Sequence, residues 1–348
     1  MIPGKIAFLG SGETSLAGGR IFETLARSLP ESPRVAVLET PAGFELNSAA
    51  VAGAVADFLR TRLQNYSPRV VVVPARKRAT TFSPDDPGII KPLLDANLIF
   101  MGPGSPTYAV RQLKDTLAWD VIRARHRLGA TLVFASAAAI SIGAWILPVY
   151  EIYKVGQDVH SLPGLDLFSD FNVPLSFIPH WNNAEGGSDL DTSRCFVGME
   201  RFAQWCDLLP SGHTIVGLDE HTGLVMDFEK KECTVSGVSS VSLVRECNPE
   251  IYAAGRSFPF NELGYFKHPD RLENGISSTV WELVGNVTRA VDESPDSDVL
   301  SLLDARQKAR TGRDWAVSDR LREEIAARGW VVTDTPQGQV VKRSSLEP

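Results

Sequence analysis

The first 145 residues switch repeatedly between two hydrophobic patterns. Short, nearly unbroken apolar runs occur at 6–9, 34–40, 70–73, 98–101 and 130–134, and they predict strands buried on both faces. Between them apolar residues recur at helical spacing. Val51, Val55, Phe58 and Leu59 share one face of a helix expected over 48–63, and further helices are expected over 20–29 and 108–128. Residues 74–92 are polar and proline-rich and read as a loop. Strands and helices alternating at this pitch predict an α/β fold: a mostly parallel sheet sandwiched by helices.

Beyond residue 146 the pattern changes. Residues 150–155 read as an edge strand or a turn. An apolar run over 175–181 contains His180 near its end, and a polar, Gly-containing stretch follows to Arg194. A helix is expected at 197–208 and a strand at 214–218, then β strands at 224–228 and 233–244 joined as a hairpin. Signals are weak from 245 to 295. Residues 299–328 predict two amphipathic helices broken near Gly312, and a hairpin over 330–342 closes a small α+β appendage. The expected organisation is a large domain at 1–290, an acidic linker at 291–298 and a small domain at 299–348.

Composition narrows the function classes. The 348 residues carry a formal net charge of −7, which argues against a dedicated nucleic-acid binder. No apolar stretch is long enough to span a membrane, and the first residues lack the basic-then-apolar order of a signal peptide. Cys195, Cys206, Cys233 and Cys247 have no CxxC spacing, so free thiols in a reducing cytoplasm are expected, with no metal and no cofactor. Gly10-Ser11-Gly12-Glu13-Thr14 follows a strand but lacks a phosphate-binding signature.

Candidate chemistry lies where strands end, since ligands in open α/β sheets sit beyond the carboxyl ends of the strands. Ser136 follows the 130–134 run and precedes a plausible helix start. A serine on such a turn can expose its hydroxyl and aim backbone N–H groups at a developing oxyanion. A weak serine needs a base, and the base needs an orienting acid. His180 and Glu220 each end a later apolar run, and the loop Gly102-Pro103-Gly104-Ser105 ends another. His221, next to Glu220, reads as solvent-facing or as a substrate contact.

These motifs, in this order, resemble the serine hydrolases of the cyanophycinase and dipeptidase E group, which have a class I glutamine-amidotransferase-like fold. Phe134-Ala135-Ser136-Ala137-Ala138-Ala139 stands for the family's G-x-S-A-G-A, Pro179-His180-Trp181 for its P-H-F, and Gly217 to Gly223 for its G-I-D-E-x-T-A. Gly10-Ser11-Gly12-Glu13 stands for its early G-G-x-E, and Gly102 to Ser105 for its glycine-pair loop. The resemblance covers about residues 4–245. It implies Ser136 as nucleophile, His180 as base, Glu220 as orienter with Glu151 as second candidate acid, and an oxyanion hole of the Gly104 and Ala137 N–H groups. Glu13, Ser105, Asn182, Asn183, Arg194 and His221 are the expected substrate contacts. Arg111 and Arg194 are the candidates for a substrate carboxylate, because the family prefers acidic or β-aspartyl residues. Phe134 and Ala138 replace glycines, and Pro103 interrupts the glycine pair.

Residues 305–338 are similar to the C-terminal end of cysteinyl-tRNA synthetases. The basic residues Arg306, Lys308, Arg310, Arg313, Arg320, Arg322 and Arg328 could meet phosphates, but pairing with nearby acids on a solvated helix face is the favoured reading. The leading expectation is a cytoplasmic serine hydrolase of peptide or amide bonds. The rival is a catalytically weak or inactive binding protein of the same fold that uses its tail for tRNA or a protein partner. A homodimer is left open.

Overall fold

The computed structural model describes residues 2–269, 273–292, 295, 297–335 and 338–343. The chain divides into two compact units, 1–281 and 282–348. The expected linker at 291–298 includes Glu293, Ser294 and Asp296, which lie outside the described residues.

In the large unit, strands β1 (Ile6–Leu9), β2 (Arg34–Leu38), β3 (Arg69–Val73), β4 (Leu98–Met101) and β5 (Thr131–Ala135) pair in parallel in the order β1-β5-β4-β2-β3. Helices α1 (Leu16–Ser28), α2 (Ser48–Arg62), α3 (Pro87–Asp95), α4 (Pro106–Leu113) and α5 (Leu117–Arg127) connect them. Short elements follow: α6 (Ala137–Ser141), β6 (Trp145–Ile146), α7 (Val149–Tyr153) and β7 (Leu162–Pro163). Then come β8 (Leu175–Ile178), α8 (Gly198–Cys206), β9 (Thr214–Leu218), β10 (Thr222–Asp227), β11 (Glu232–Gly237), β12 (Ser240–Arg245), β13 (Asn248–Ala253) and β14 (Ser257–Pro259), and the boundary between the units falls within α9 (Ser278–Asp292).

The main sheet is parallel across these five strands, as the alternating pattern predicts, and gains an antiparallel edge. β10, β11 and β14 add to its β1 edge in antiparallel fashion. A second sheet runs β13-β12-β9-β8, with only β8 and β9 parallel. The expected single strand over 233–244 is therefore two strands in two sheets. Gly237, at φ 122°, makes the break, a backbone conformation that a side chain there would strain.

The period-2 alternation of the strands sorts residues to two faces. Ala7, Leu9, Val133 and Ala135 join Phe22, Leu25, Val55 and Leu59 in a fully buried cluster under α1 and α2. Phe8 and Phe134 point the other way, where Phe8 stacks on Phe177 of β8 at 3.9 Å. This aromatic layer joins the sheets and holds the ends of β5 and β8 together, and those ends carry Ser136 and His180.

Three further expectations are corrected. The loop 74–92 contains the start of α3, with Asp86 accepting from the Gly88 N–H and Pro87 in the first turn, where a missing N–H costs nothing. The helix over 108–128 is two helices, parted at Asp115 (φ 57°) and restarted by the Thr116 cap. The 150–155 segment is the short helix α7, not a strand; burial of Val149 and Ile152 overrides its β propensity.

The small unit contains α10 (Ser297–Thr311), α11 (Trp315–Ala327) and the antiparallel pair β15 (Trp330–Thr335) and β16 (Gly338–Arg343). Val299, Leu303, Ile325, Trp330 and Val332 form its core. Arg306, 1% exposed, donates both Nη atoms to the Asp334 carboxylate, at 3.0 and 2.9 Å, and also bonds Gln339.

Candidate active site

Ser136 lies at the carboxyl end of β5, between Ala135 and the first turn of α6. Its backbone sits at φ 52°, ψ −121°, a conformation that costs a non-glycine residue on the order of 1–3 kcal/mol and clusters at functional sites. The turn is held by its N–H donating to Leu9 O and its carbonyl accepting from Ala139 N. The flanking replacements are accommodated: Phe134 enters the aromatic layer, and Ala138 is inside α6, where no positive φ is required.

His180 follows β8 at φ 49°, with its N–H on Gly10 O at 3.2 Å. The imidazole Nε2 is 2.9 Å from Ser136 Oγ, and Nδ1 is 2.9 Å from Glu220 Oε1. A neutral ring that donates Nδ1–H to the carboxylate leaves Nε2 free to accept the serine proton. His180 and Glu220 are 18% and 29% exposed, so solvent screens their pairing only in part.

Glu220, just past β9, is held from two sides. Its backbone N–H donates to Asn182 Oδ1 at 2.8 Å, and its Oε1 accepts from Asn183 Nδ2 at 3.0 Å. Burial opposes its ionisation, but the hydrogen bonds from Asn183 and His180 prevail and hold the carboxyl below its ordinary value. Neighbouring Asp219 takes three hydrogen bonds from Ser239 and Ser240 and so pins the start of β12 to the end of β9.

Each of the other sequence-predicted residues has contacts of its own. Glu151, the second candidate acid, accepts from Thr107, while Glu220 occupies His180 Nδ1. Gly104 and Ala137 both line the small cavity at Ser136 Oγ. Gly104 stands at φ 144°, and a Cβ there would meet Pro41 O at 1.9 Å, so the position demands glycine. Ala137 is the first helical residue of α6, where an N–H has no intrahelical acceptor.

Ser105 caps α4 through Tyr108 N and also bonds Thr107. The Arg194 guanidinium lies over Trp181, 3.8 Å from the ring centre, with Nη1 donating to Trp181 O. His221 is exposed at φ 56°, and its N–H donates to Ser11 Oγ. Glu13 is half-buried in the turn leading to α1. Sequence reasoning placed Asn182 and Asn183 on a substrate loop and missed their hold on Glu220; the signal was two amides two and three residues after the histidine. It also missed Tyr150, Cys195 and Phe196, which line the cavity. Among the described residues no cluster of His, Cys, Asp and Glu could hold a metal, and no helix is long and apolar enough to cross a membrane.

Comparison with known proteins divides along the chain. A crystal structure of a peptidase from an acI-B1 Actinobacterium superposes with a TM-score of 0.59, at 22% identity, over 74% of this chain and 98% of that one. The fold is shared with that peptidase. A putative peptidase E protein from Listeria monocytogenes EGD-e aligns over 73% of the chain with a TM-score of 0.42.

Residues 294–341 match the family described as "Cysteinyl-tRNA ligase anticodon binding domain". The cysteine–tRNA ligase of Lacticaseibacillus casei (strain BL23) is 41% identical over 58 residues, and that of Burkholderia lata (cysteine–tRNA ligase 1) is 54% identical over 41. These matches cover 17% and 12% of this chain, but only 12% and 9% of the ligases.

Proposed function

We propose that the protein is a serine hydrolase that cleaves a peptide or amide bond through an acyl-enzyme. Ser136 Oγ attacks the carbonyl carbon as its proton passes to His180 Nε2. Glu220 keeps the imidazole in the productive tautomer and stabilises the imidazolium. The Gly104 and Ala137 N–H groups receive the oxyanion, His180 protonates the departing amine, and a water activated by the same imidazole releases the acyl group. The observation that carries this reading is the continuous relay Ser136–His180–Glu220, with both links at 2.9 Å and the serine on a strained turn. The free thiols suit a reducing cytoplasm. A fluorophosphonate probe tests the reading: wild type is labelled and Ser136→Ala is not, whereas an unlabelled, folded wild type overturns it.

A second reading is favoured by one observation, the family match at 294–341. In it the small unit contacts tRNA while the large unit serves as a scaffold. Of the seven basic residues between 306 and 328, Arg306 is buried on Asp334, and Arg310, Lys308 and Arg320 pair with Asp334, Asp304 and Glu324. Arg313, Arg322 and Arg328 remain exposed, Arg328 with Nη1 on Glu324 O. A gel shift of bulk tRNA by the full chain that weakens in Arg313→Glu/Arg322→Glu supports this reading; unchanged tRNA mobility with wild type ends it.

A further inference from the structure

We propose that the acyl group accepted at Ser136 is uncharged and apolar, a short aliphatic or aromatic group rather than an acidic one. This inference rests on the serine-hydrolase reading and concerns the substrate of the same site.

The argument starts from the walls. The cavity at Ser136 is small, about 40 Å³, and Gly104 and Ala137 line it together with the serine. Its other walls include Pro106, Ile140, Val149, Tyr150 and Phe196, so an acyl group seated there meets apolar and aromatic side chains. No Arg, Lys, Asp or Glu lines the cavity. The Cys195 thiol on the same wall is buried, and desolvation pushes its pKa up to about 12, with Glu220 adding a smaller effect in the same direction. A carboxylate brought against such a wall without a partner loses hydration that nothing returns.

The cations nearby lie outside the cavity lining. Arg194, one of the two sequence candidates for a substrate carboxylate, lies over Trp181 with Nη1 on its carbonyl, and its buried Nε has no hydrogen-bond partner among the described residues and does not line the cavity. Arg111, the other, lies 5.3 Å from the Tyr108 ring centre. Lys154 is exposed and rests on Tyr150 and Tyr153, 4.6 and 5.6 Å from their ring centres. The acid behind this wall has the wrong sign for an acidic ligand: Glu151, next to Tyr150, is bonded to Thr107, next to Pro106.

The backbone commits the apolar wall to its place. Arg194, Cys195 and Phe196 are three consecutive non-glycine residues at φ 58°, 60° and 72°. The Arg194 and Cys195 N–H groups, on Trp181 O and His180 O, hold this costly turn. The turn brings Phe196 to 5.7 Å from the His180 ring and stacks it on Tyr153.

The test uses the full chain and three esters sharing one leaving group: 4-nitrophenyl acetate, 4-nitrophenyl butyrate and mono-4-nitrophenyl succinate. The butyrate ester is expected to give a kcat/KM at least about tenfold above that of the succinate ester, which carries the unpartnered carboxylate. Phe196→Ala is expected to shift the preference toward longer chains, and Ser136→Ala to remove turnover of all three. A succinate ester cleaved as fast as butyrate, or faster, overturns the proposal, and loss of that turnover in Lys154→Ala would name the acid-binding group. Ser136 labelled by fluorophosphonate with no Ser136-dependent turnover of butyrate also overturns it. Absence of both labelling and turnover overturns the hydrolase reading itself.

Discussion

The two units keep their likeness to known proteins in different ways. The large unit shares its fold with a peptidase at only 22% identity, whereas the small unit is 41–54% identical to segments of cysteine–tRNA ligases. In the large unit the site consists of a few residues at the ends of β5, β8 and β9, far apart in sequence. Its strands need only remain apolar and correctly phased, and many sequences satisfy that. In the small unit the core and the buried Arg306–Asp334–Gln339 network occupy one contiguous stretch, where each residue is tied to its neighbours. Sparse constraints leave a recognisable fold, and dense local ones leave a recognisable sequence.

Substitutions can break this contrast. His180→Gln removes the base, and the rate of fluorophosphonate labelling at Ser136 should fall on the order of 10³-fold or more. A loss under tenfold would mean that the large unit keeps its geometry without using it. Arg306→Ala should destabilise the small unit by on the order of 2 kcal/mol, since it removes a buried side chain and its paired hydrogen bonds to Asp334, which keeps Arg310 as a partner. Hydrogen exchange over 297–335 reads this directly, and unchanged protection would show that the network is not what holds the segment.

A pH prediction concerns the large unit's core. Burial depresses the His126 pKa from 6.5 to about 4. Its stability contribution is complete above the unfolded value of 6.5 and is lost as pH falls toward 4, because in that window the unfolded chain binds the additional proton. Two and a half units correspond to about 3 kcal/mol at most. Urea unfolding at pH 7 and pH 5 should therefore differ, and a flat profile would contradict the assignment.

The smallest expected effect is the most specific to the site. Asn183→Ala removes a hydrogen bond that favours the ionised Glu220. Labelling should fall about tenfold, because Glu220 loses one of the two hydrogen bonds that hold it on His180. A loss under twofold would assign Asn183 to packing alone.

Much of the fold was readable because β1, β4 and β5 are unbroken apolar runs whose helices have the right period. The missed elements have physical causes. Pro87 and Pro92 look like breakers, yet α3 forms with Pro87 in its first turn and Pro92 still inside it. Tyr150 and Ile152 favour strands, but tertiary burial makes α7 helical. The split of the 233–244 run between two sheets follows from Gly237, one residue in a run that otherwise reads as a single strand. Ser136, His180 and Glu220 could be named because each ends a strand. The hold of Asn182 and Asn183 on Glu220 depends on a turn whose direction no periodicity encodes.

The central claim, that Ser136 is a nucleophile driven by His180 and Glu220, is tested most directly by intact mass and peptide mapping after fluorophosphonate treatment. The account predicts one adduct per chain, on Ser136, strongly slowed in His180→Gln and in Glu220→Gln. An adduct on another residue, or a folded wild type that gains no mass, would contradict it.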